Sequence, residues 1–319
     1  MRSYMCVPLI CNNQLIGSLN LGSRHPGAFT ANDAEVVRDI ANMLAISIGH
    51  SKLHTEVMEK NYELAERNKD MTDSIKYAKE IQDGILPRAD IVNAIFPESF
   101  VFYQPRDIVS GDFYWLTVKQ NKAIFAVVDC TGHGVPGALM SMIGNNILNQ
   151  TINVKNLVEP GQILNHVNLG LKATFSHHGK EDSIKDGMDI SIISMDLGSD
   201  ILKFAGAGRP LYHIQNGNLR VIKGDPYTVG LSTPPSHIFQ QEEIRVKTGD
   251  LVYLFSDGFH DQFGGVRNRK FMSRRFRELL LEIHTLEMAQ QEKILYETLE
   301  LWRGNRPQVD DILVVGIRF

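Results

Sequence analysis

Two apolar runs that end on acidic residues constrain this chain most. Ala123-Ile124-Phe125-Ala126-Val127-Val128 leads directly into Asp129-Cys130-Thr131-Gly132-His133-Gly134, and Leu251-Val252-Tyr253-Leu254-Phe255 leads into Ser256-Asp257-Gly258. Short runs rich in β-branched and aromatic residues and bounded by Gly and Asp read as buried strands. Such strands deliver Asp129 and Asp257 to a sheet edge with little positional freedom. Asp112 stands just before Phe113-Tyr114-Trp115-Leu116, behind a Gly111 that permits close backbone approach, and Asp310-Asp311 stands just before Ile312-Leu313-Val314-Val315. A lone Asp-Gly is usually a turn. Aspartates repeated at the ends of strand-like runs read instead as a hard-metal centre.

Asp112, Asp129, Asp257 and Asp310 supply oxygen ligands for one or two divalent cations, and an all-carboxylate set favours Mg²⁺ or Mn²⁺ over zinc, which usually recruits Cys or His. Cys130 is therefore expected to contribute its backbone carbonyl rather than its sulfur. His133 lies in a glycine-flanked turn directly after Asp129, where an imidazole is placed to protonate a departing oxygen. His177-His178 reads as a polar loop without ligand spacing. Ser110 and Ser256 lack the Gly-x-Ser-x-Gly elbow of a serine nucleophile. Neither a Walker phosphate loop nor a dinucleotide fingerprint is present.

Further strands are expected at Val101–Tyr103, Ile190–Met195 and Ile201–Phe204, and helices at Gly137–Thr151, Pro160–Phe175, Phe271–Leu281 and Leu286–Leu301. Helices grouped between pairs of hairpins point to a layered α+β sandwich rather than a doubly wound parallel sheet. With 319 residues, 43% of them hydrophobic, the chain can bury a sizeable core and a smaller appendage. A net charge of −4 offers no general grip on nucleic acid or an anionic membrane. No apolar run is long enough to span a bilayer and the start has no secretory pattern, so a cytoplasmic protein with reduced Cys6, Cys11 and Cys130 is expected.

Residues 6–21 read as two strands joined at Asn12-Asn13, followed by a helix from Asn32 to about Leu86 that Pro87 ends. Thr30 or Asn32 is the expected cap, Asn32 having Glu35 at capping-box spacing. Along the helix, Ile46, His50, Leu53, Val57, Lys60 and Leu64 alternate steps of four and three. Asn68, Met71, Ile75, Ala78, Gln82 and Ile85 resume the rhythm after a stutter. This is a coiled-coil stripe, and a parallel homodimer is expected because so long a helix gains little stability alone.

Val7-Pro8-Leu9-Ile10, Ile16-Gly17-Ser18-Leu19-Asn20-Leu21 and Ala28-Phe29-Thr30 with Asp33 resemble the carboxy-terminal part of a GAF sensory domain. Two strands and a helix do not close a ligand pocket. From about residue 80 onward, an ordered motif set resembles the SpoIIE-type branch of metal-dependent serine/threonine phosphatases, the bacterial relatives of the 2C class. The motifs are Ile81-Gln82-Asp83-Gly84-Ile85-Leu86-Pro87, Asp107-Ile108-Val109-Ser110-Gly111-Asp112-Phe113-Tyr114, Asp129 through Ala138, Ala205-Gly206-Ala207-Gly208-Arg209-Pro210-Leu211, Gly249-Asp250-Leu251, Ser256-Asp257-Gly258 and Asp310-Asp311-Ile312.

The resemblance implies a four-layer α-β-β-α sandwich with two central, mostly antiparallel sheets, preceded by a long helix and a small α/β fragment. The implied domains are 1–48 (partial GAF-like), 49–87 (coiled-coil linker and regulatory helix) and 88–319 (phosphatase). Carried onto this sequence, Asp112, Asp129, Asp257 and Asp310, with the Cys130 carbonyl, hold two Mg²⁺ or Mn²⁺ ions, Asp311 being the fallback for Asp310 and Asp189 a further acidic position. Arg106 and Arg209 are candidates to approach the substrate phosphate. The implied reaction is attack of metal-activated water on a protein phosphoserine or phosphothreonine, His133 protonating the leaving oxygen. The implied partner is a phosphorylated STAS-type anti-sigma-factor antagonist. The alternative is a noncatalytic scaffold that binds partners through the coil and the sandwich.

Overall fold

In the computed structural model, which describes residues 1–175 and 186–319, the chain divides after Ser74 into two units. The first is a hairpin packed on a helix. Strands β1 (Ser3–Cys11) and β2 (Gln14–Ser23) pair antiparallel through Asn12 and Asn13, whose φ values of 47° and 62° are ones asparagine tolerates better than most residues. Val7 and Leu9 alternate onto one face of β1 and bury against Val37, Ala41 and Ala45, which recur every fourth residue along helix α1 (Ala31–Ile85). Thr30 caps that helix. Its Oγ1 accepts the Asp33 N–H at 3.2 Å while Asp33 Oδ2 accepts the Thr30 N–H at 2.8 Å, a capping box two residues earlier than the Asn32/Glu35 alternative. Further along, Leu53, Val57, Leu64 and Met71 stand 48–64% exposed, so this part of the heptad stripe has no cover among the described residues.

The second unit, Ile75–Phe319, holds the end of α1 and two stacked sheets. Its elements run α2 (Ala89–Ile95), β3 (Ser99–Gln104), β4 (Phe113–Lys119), β5 (Lys122–Cys130), α3 (Gly134–Asn149) and α4 (Pro160–Phe175). They continue as β6 (Gly187–Asp196), β7 (Ile201–Ala207), β8 (Leu211–Gln215), β9 (Asn218–Ile222), β10 (Val229–Gly230), β11 (Glu242–Arg245) and β12 (Leu251–Phe255). The chain closes with α5 (Gly258–Asp261), β13 (Phe263–Gly264), β14 (Arg269–Lys270), α6 (Ser273–Ile283), α7 (Met288–Arg303) and β15 (Ile312–Arg318). One sheet has the order β11-β7-β6-β5-β4, with β10 also on β6; the other has the order β3-β15-β12-β8-β9; every pairing of strands is antiparallel.

Strand periodicity explains why β5 is apolar from Ala123 to Val128. Ile124, Ala126 and Val128 point into a core shared with α3 and α4, while Ala123, Phe125 and Val127 point into the core between the sheets. β12 does the same on the other side: Val252 and Leu254 face the inter-sheet core, and Leu251, Tyr253 and Phe255 face the layer of α6 and α7. The outcome is the expected α-β-β-α sandwich. Among the described residues no helix is long and apolar enough to cross a membrane.

One polar contact ties the last helical layer to its sheet. The fully buried Tyr253 hydroxyl donates to Gln291 Oε1 at 2.6 Å, and Gln291 Nε2 donates to the Leu286 carbonyl at 2.9 Å. Tyr253→Phe leaves that amide oxygen buried and unpaired, an expected loss of about 1–3 kcal/mol. At roughly 2–4 °C per kcal/mol for a unit of this size, thermal denaturation should register the drop.

Candidate active site

The acidic residues converge from both sheets. Asp129 near the end of β5 lies directly opposite Asp189 in β6, and Asp112 immediately precedes β4, the other neighbour of β5. From the second sheet, Asp257 lies two residues beyond β12 and Asp310-Asp311 directly precedes β15. The Asp257 N–H lies 3.5 Å from Asp129 Oδ2, which brings the two sheets into polar contact at this edge.

Glycines set how closely these segments meet. A side chain at Gly111 would lie 2.5 Å from the Gly132 carbonyl oxygen, and one at Gly137 would lie 2.3 Å from the same oxygen and 2.9 Å from Gly111 Cα. Gly132 itself has φ +86°, a conformation that L side chains rarely adopt. The loop before Asp112, the turn after Asp129 and the start of α3 therefore touch backbone to backbone.

Two buried anchors hold the Asp112 loop. Asp311, 2% exposed, accepts the N–H groups of Arg106 and Gly111, each at 2.7 Å, one per carboxylate oxygen. Gln82, 3% exposed, accepts the Ser110 N–H at 3.0 Å and donates to the Ser110 carbonyl at 2.7 Å and to Ser141 Oγ at 2.9 Å. Asp311 thus braces the loop with both oxygens, while Asp310 beside it accepts the Asp311 N–H with Oδ1 at 2.9 Å.

Burial, with neighbouring carboxylates adding to it, shifts Asp112, Asp129, Asp189 and Asp310 upward. Burial, then the neighbouring Asp129, raises Asp112 well above the carboxylate range. Burial lifts Asp129 to about 7, Arg209 opposing and Asp257, Asp189 and Asp310 adding to the rise. Asp189 and Asp310 are also raised, chiefly by burial. Arg209 enters this group from the turn between β7 and β8. One terminal nitrogen lies 2.6 Å from Asp129 Oδ2 and 2.7 Å from Asp257 Oδ2, and Nε lies 3.2 Å from Asp189 Oδ2 without hydrogen-bond alignment.

The donor chemistry fits a hard divalent cation: carboxylate oxygens dominate, and Asp112 Oδ2 is buried without a hydrogen-bond partner. In this arrangement, however, no three His, Cys, Asp or Glu side chains among the described residues close on one point as a bound ion requires. The guanidinium of Arg209 lies between Asp129 and Asp257. Cys130 is 4% exposed within the helix-facing core and burial pushes its thiol well up, so its sulfur is an unfit ligand. Ser256 is buried and its hydroxyl accepts the Leu313 N–H at 3.0 Å, a structural role.

His133 precedes α3 with its side chain 44% exposed, and its Nδ1 lies 2.8 Å from Asp107 Oδ2. Asp107 was not singled out by its own spacing; its pairing with His133 depends on the glycine contact that joins the two segments. Arg106 is exposed and donates to the Val309 carbonyl at 2.8 Å. His177-His178 lies outside the described residues.

The raised carboxyls set a pH dependence. A carboxyl whose pKa is higher folded than unfolded favours the fold when protonated. Its contribution is full below about pH 4 and is lost as pH rises through about 7 for Asp129. In the presence of a chelator, the Tm difference between Asp129→Asn and the parent is expected to shift in the variant's favour between pH 5 and pH 8. Parallel Tm profiles for the two proteins would contradict the assignment.

Residues 119–319 match the family described as Stage II sporulation protein E (SpoIIE), and residues 1–48 match the GAF domain. No match is found among the curated proteins. Among solved structures, the SiaA-PP2C domain of Pseudomonas aeruginosa is 32% identical with a TM-score of 0.72, the match covering 79% of this chain and 98% of that one. The PP2C phosphatase domain of SpoIIE from Bacillus subtilis, solved with a fragment of its regulatory domain, is 17% identical (TM-score 0.55; 70% and 63% covered). The RsbU and RsbW domains of a Mycobacterium tuberculosis protein are 19% identical (TM-score 0.54; 70% and 60% covered), and these two share the fold. With its family match over most of the sandwich and its likeness to the SiaA domain, the chain belongs to the SpoIIE family of PP2C-type, metal-dependent serine/threonine phosphatases.

Proposed function

We propose that the chain hydrolyses phosphoserine or phosphothreonine on a small STAS-type protein, with Asp112, Asp129, Asp257, Asp310 and the Cys130 carbonyl as its cation ligands. The observation that carries this reading is the gathering of carboxylates from two sheets at one edge, with Asp112 raised by burial and Asp129, and Asp129 raised by burial and by Asp257, Asp189 and Asp310 against Arg209. Two ions are proposed from the family resemblance, and the crowding of acidic groups around the single guanidinium of Arg209 is in keeping with that number. A divalent cation supplies, when bound, the Lewis acidity that phosphomonoester hydrolysis needs.

The chain's own groups do the rest. Asp107 at Nδ1 of His133 fixes the ring so that Nε2 is the end available for proton transfer. From Nε2 the proton passes to the seryl or threonyl oxygen as it leaves phosphorus. The substrate class rests on the family, as does a regulatory role for the helix that ends at Pro87. Gln82 supports that role, because it joins the helix to the loop carrying Asp112. The domain division proposed is 1–48, 49–87 and 88–319.

Phosphate release from a phosphorylated STAS protein is expected to require Mn²⁺ or Mg²⁺ and to fall by about 100-fold or more in Asp129→Asn, the roughly 3 kcal/mol that cation stabilisation of a transferring phosphoryl group supplies. Equal release by the variant and its parent would remove the reading.

The uncovered stripe Leu53, Val57, Leu64 and Met71 supports a parallel homodimer through α1. Sedimentation equilibrium is expected to give a dimer for the parent and a monomer for Leu53→Asp/Leu64→Asp.

A further inference from the structure

Arg209 lies where two proposed cation ligands meet. Its side chain is 13% exposed, and a single terminal nitrogen bridges Asp129 Oδ2 and Asp257 Oδ2, one carboxylate from each sheet. Its Nε end stays beside Asp189 Oδ2 at 3.2 Å. The backbone that carries it is fixed: Gly208, at φ +71°, donates its N–H to the Asp225 carbonyl at 2.9 Å, and Pro210 follows. Asp129 and Asp189 are opposed across adjacent strands, a placement that is destabilising for like charges unless a cation lies between them.

We propose that Arg209 is a built-in counter-cation that competes with divalent metal for Asp129 and Asp257. This inference rests on the ligand assignment proposed above. A guanidinium nitrogen 2.6 and 2.7 Å from one oxygen of each carboxylate fills the space between them with positive charge and repels a second cation there, so an ion held by both carboxylates has to displace it. Because the backbone around residue 209 is anchored, the exchange is a side-chain rotation with Asp189 as its pivot. Asp189 is thereby given a function its strand position alone did not suggest: it retains the arginine once the other two carboxylates are taken. Two consequences follow from the competition. The metal-free fold keeps its acidic edge partly neutralised, and metal affinity is lower than the oxygen ligands alone would give. The enzyme then loads only above a threshold of free cation set by Arg209.

The test is direct Mn²⁺ binding by titration calorimetry on the full chain, with thermal denaturation of the same samples in chelator and in saturating Mn²⁺. Arg209→Ala is expected to bind Mn²⁺ at least about tenfold more tightly, to melt lower than the parent in chelator, and to gain more in Tm from Mn²⁺. Arg209→Lys keeps the charge but loses the planar fork. It should show the same trend to a smaller degree, and it serves as the measurement if the alanine variant does not fold. Unchanged or weaker Mn²⁺ affinity in the folded variants would overturn the proposal, since Arg209 would then be organising the ligands rather than competing for them. If neither parent nor variants bind Mn²⁺, while Asp129→Asn behaves like the parent, the ligand assignment falls and this inference with it.

Discussion

Holding several carboxylates together at the edge where two sheets meet is the constraint on which the rest of this structure depends. Each strand that brings one there must be fixed in register and depth, because a carboxylate displaced inward loses its solvation and one displaced outward loses its neighbours. The sandwich meets this with three cores. β5 and β12 contribute alternate residues to two of them each, so neither strand can shift without disturbing packing on both of its faces. Rigidity of this kind lets like charges remain adjacent in a folded chain.

The charged edge is managed locally by groups of different kinds. Asp311 accepts two backbone N–H groups and is spent on bracing the Asp112 loop, although it stands beside a proposed ligand of the same type. Arg209 neutralises part of the remainder, and Asp107 turns the exposed His133 into an oriented ring. Acidic side chains of one chemistry thus divide into braces, proposed ligands and an orienting group according to the backbone each one meets.

Much of the frame was legible in the residues. The helix at Pro160–Phe175 has the bounds its periodicity implies, and the strands that lead to Asp129 and Asp257 follow from their apolar runs. The α3 helix begins three residues before Gly137, because Pro136 is compatible with a first helical turn and Gly134 takes the positive φ that enters it. The short strands β8, β9 and β11 were not foreseen. They carry polar residues such as His213 and Arg220, and the buried His213 finds its partner in Asp250, far along the chain, 3.0 Å from its Nε2. The sequence offers Arg209, with Arg106, as a candidate to approach phosphate; that it bridges Asp129 and Asp257 depends on three strands and a turn coming together, which no local pattern encodes.

The alternation along β5 has one more implication. A slip of one position against β6 would exchange the residues lining two cores and present the thiol of Cys130 at the edge in place of Asp129. Proofreading of the proposed ligand set is thus built into the hydrophobic sorting of the strand: a misaligned chain is rejected as a poorly packed protein before it can persist as an inactive one.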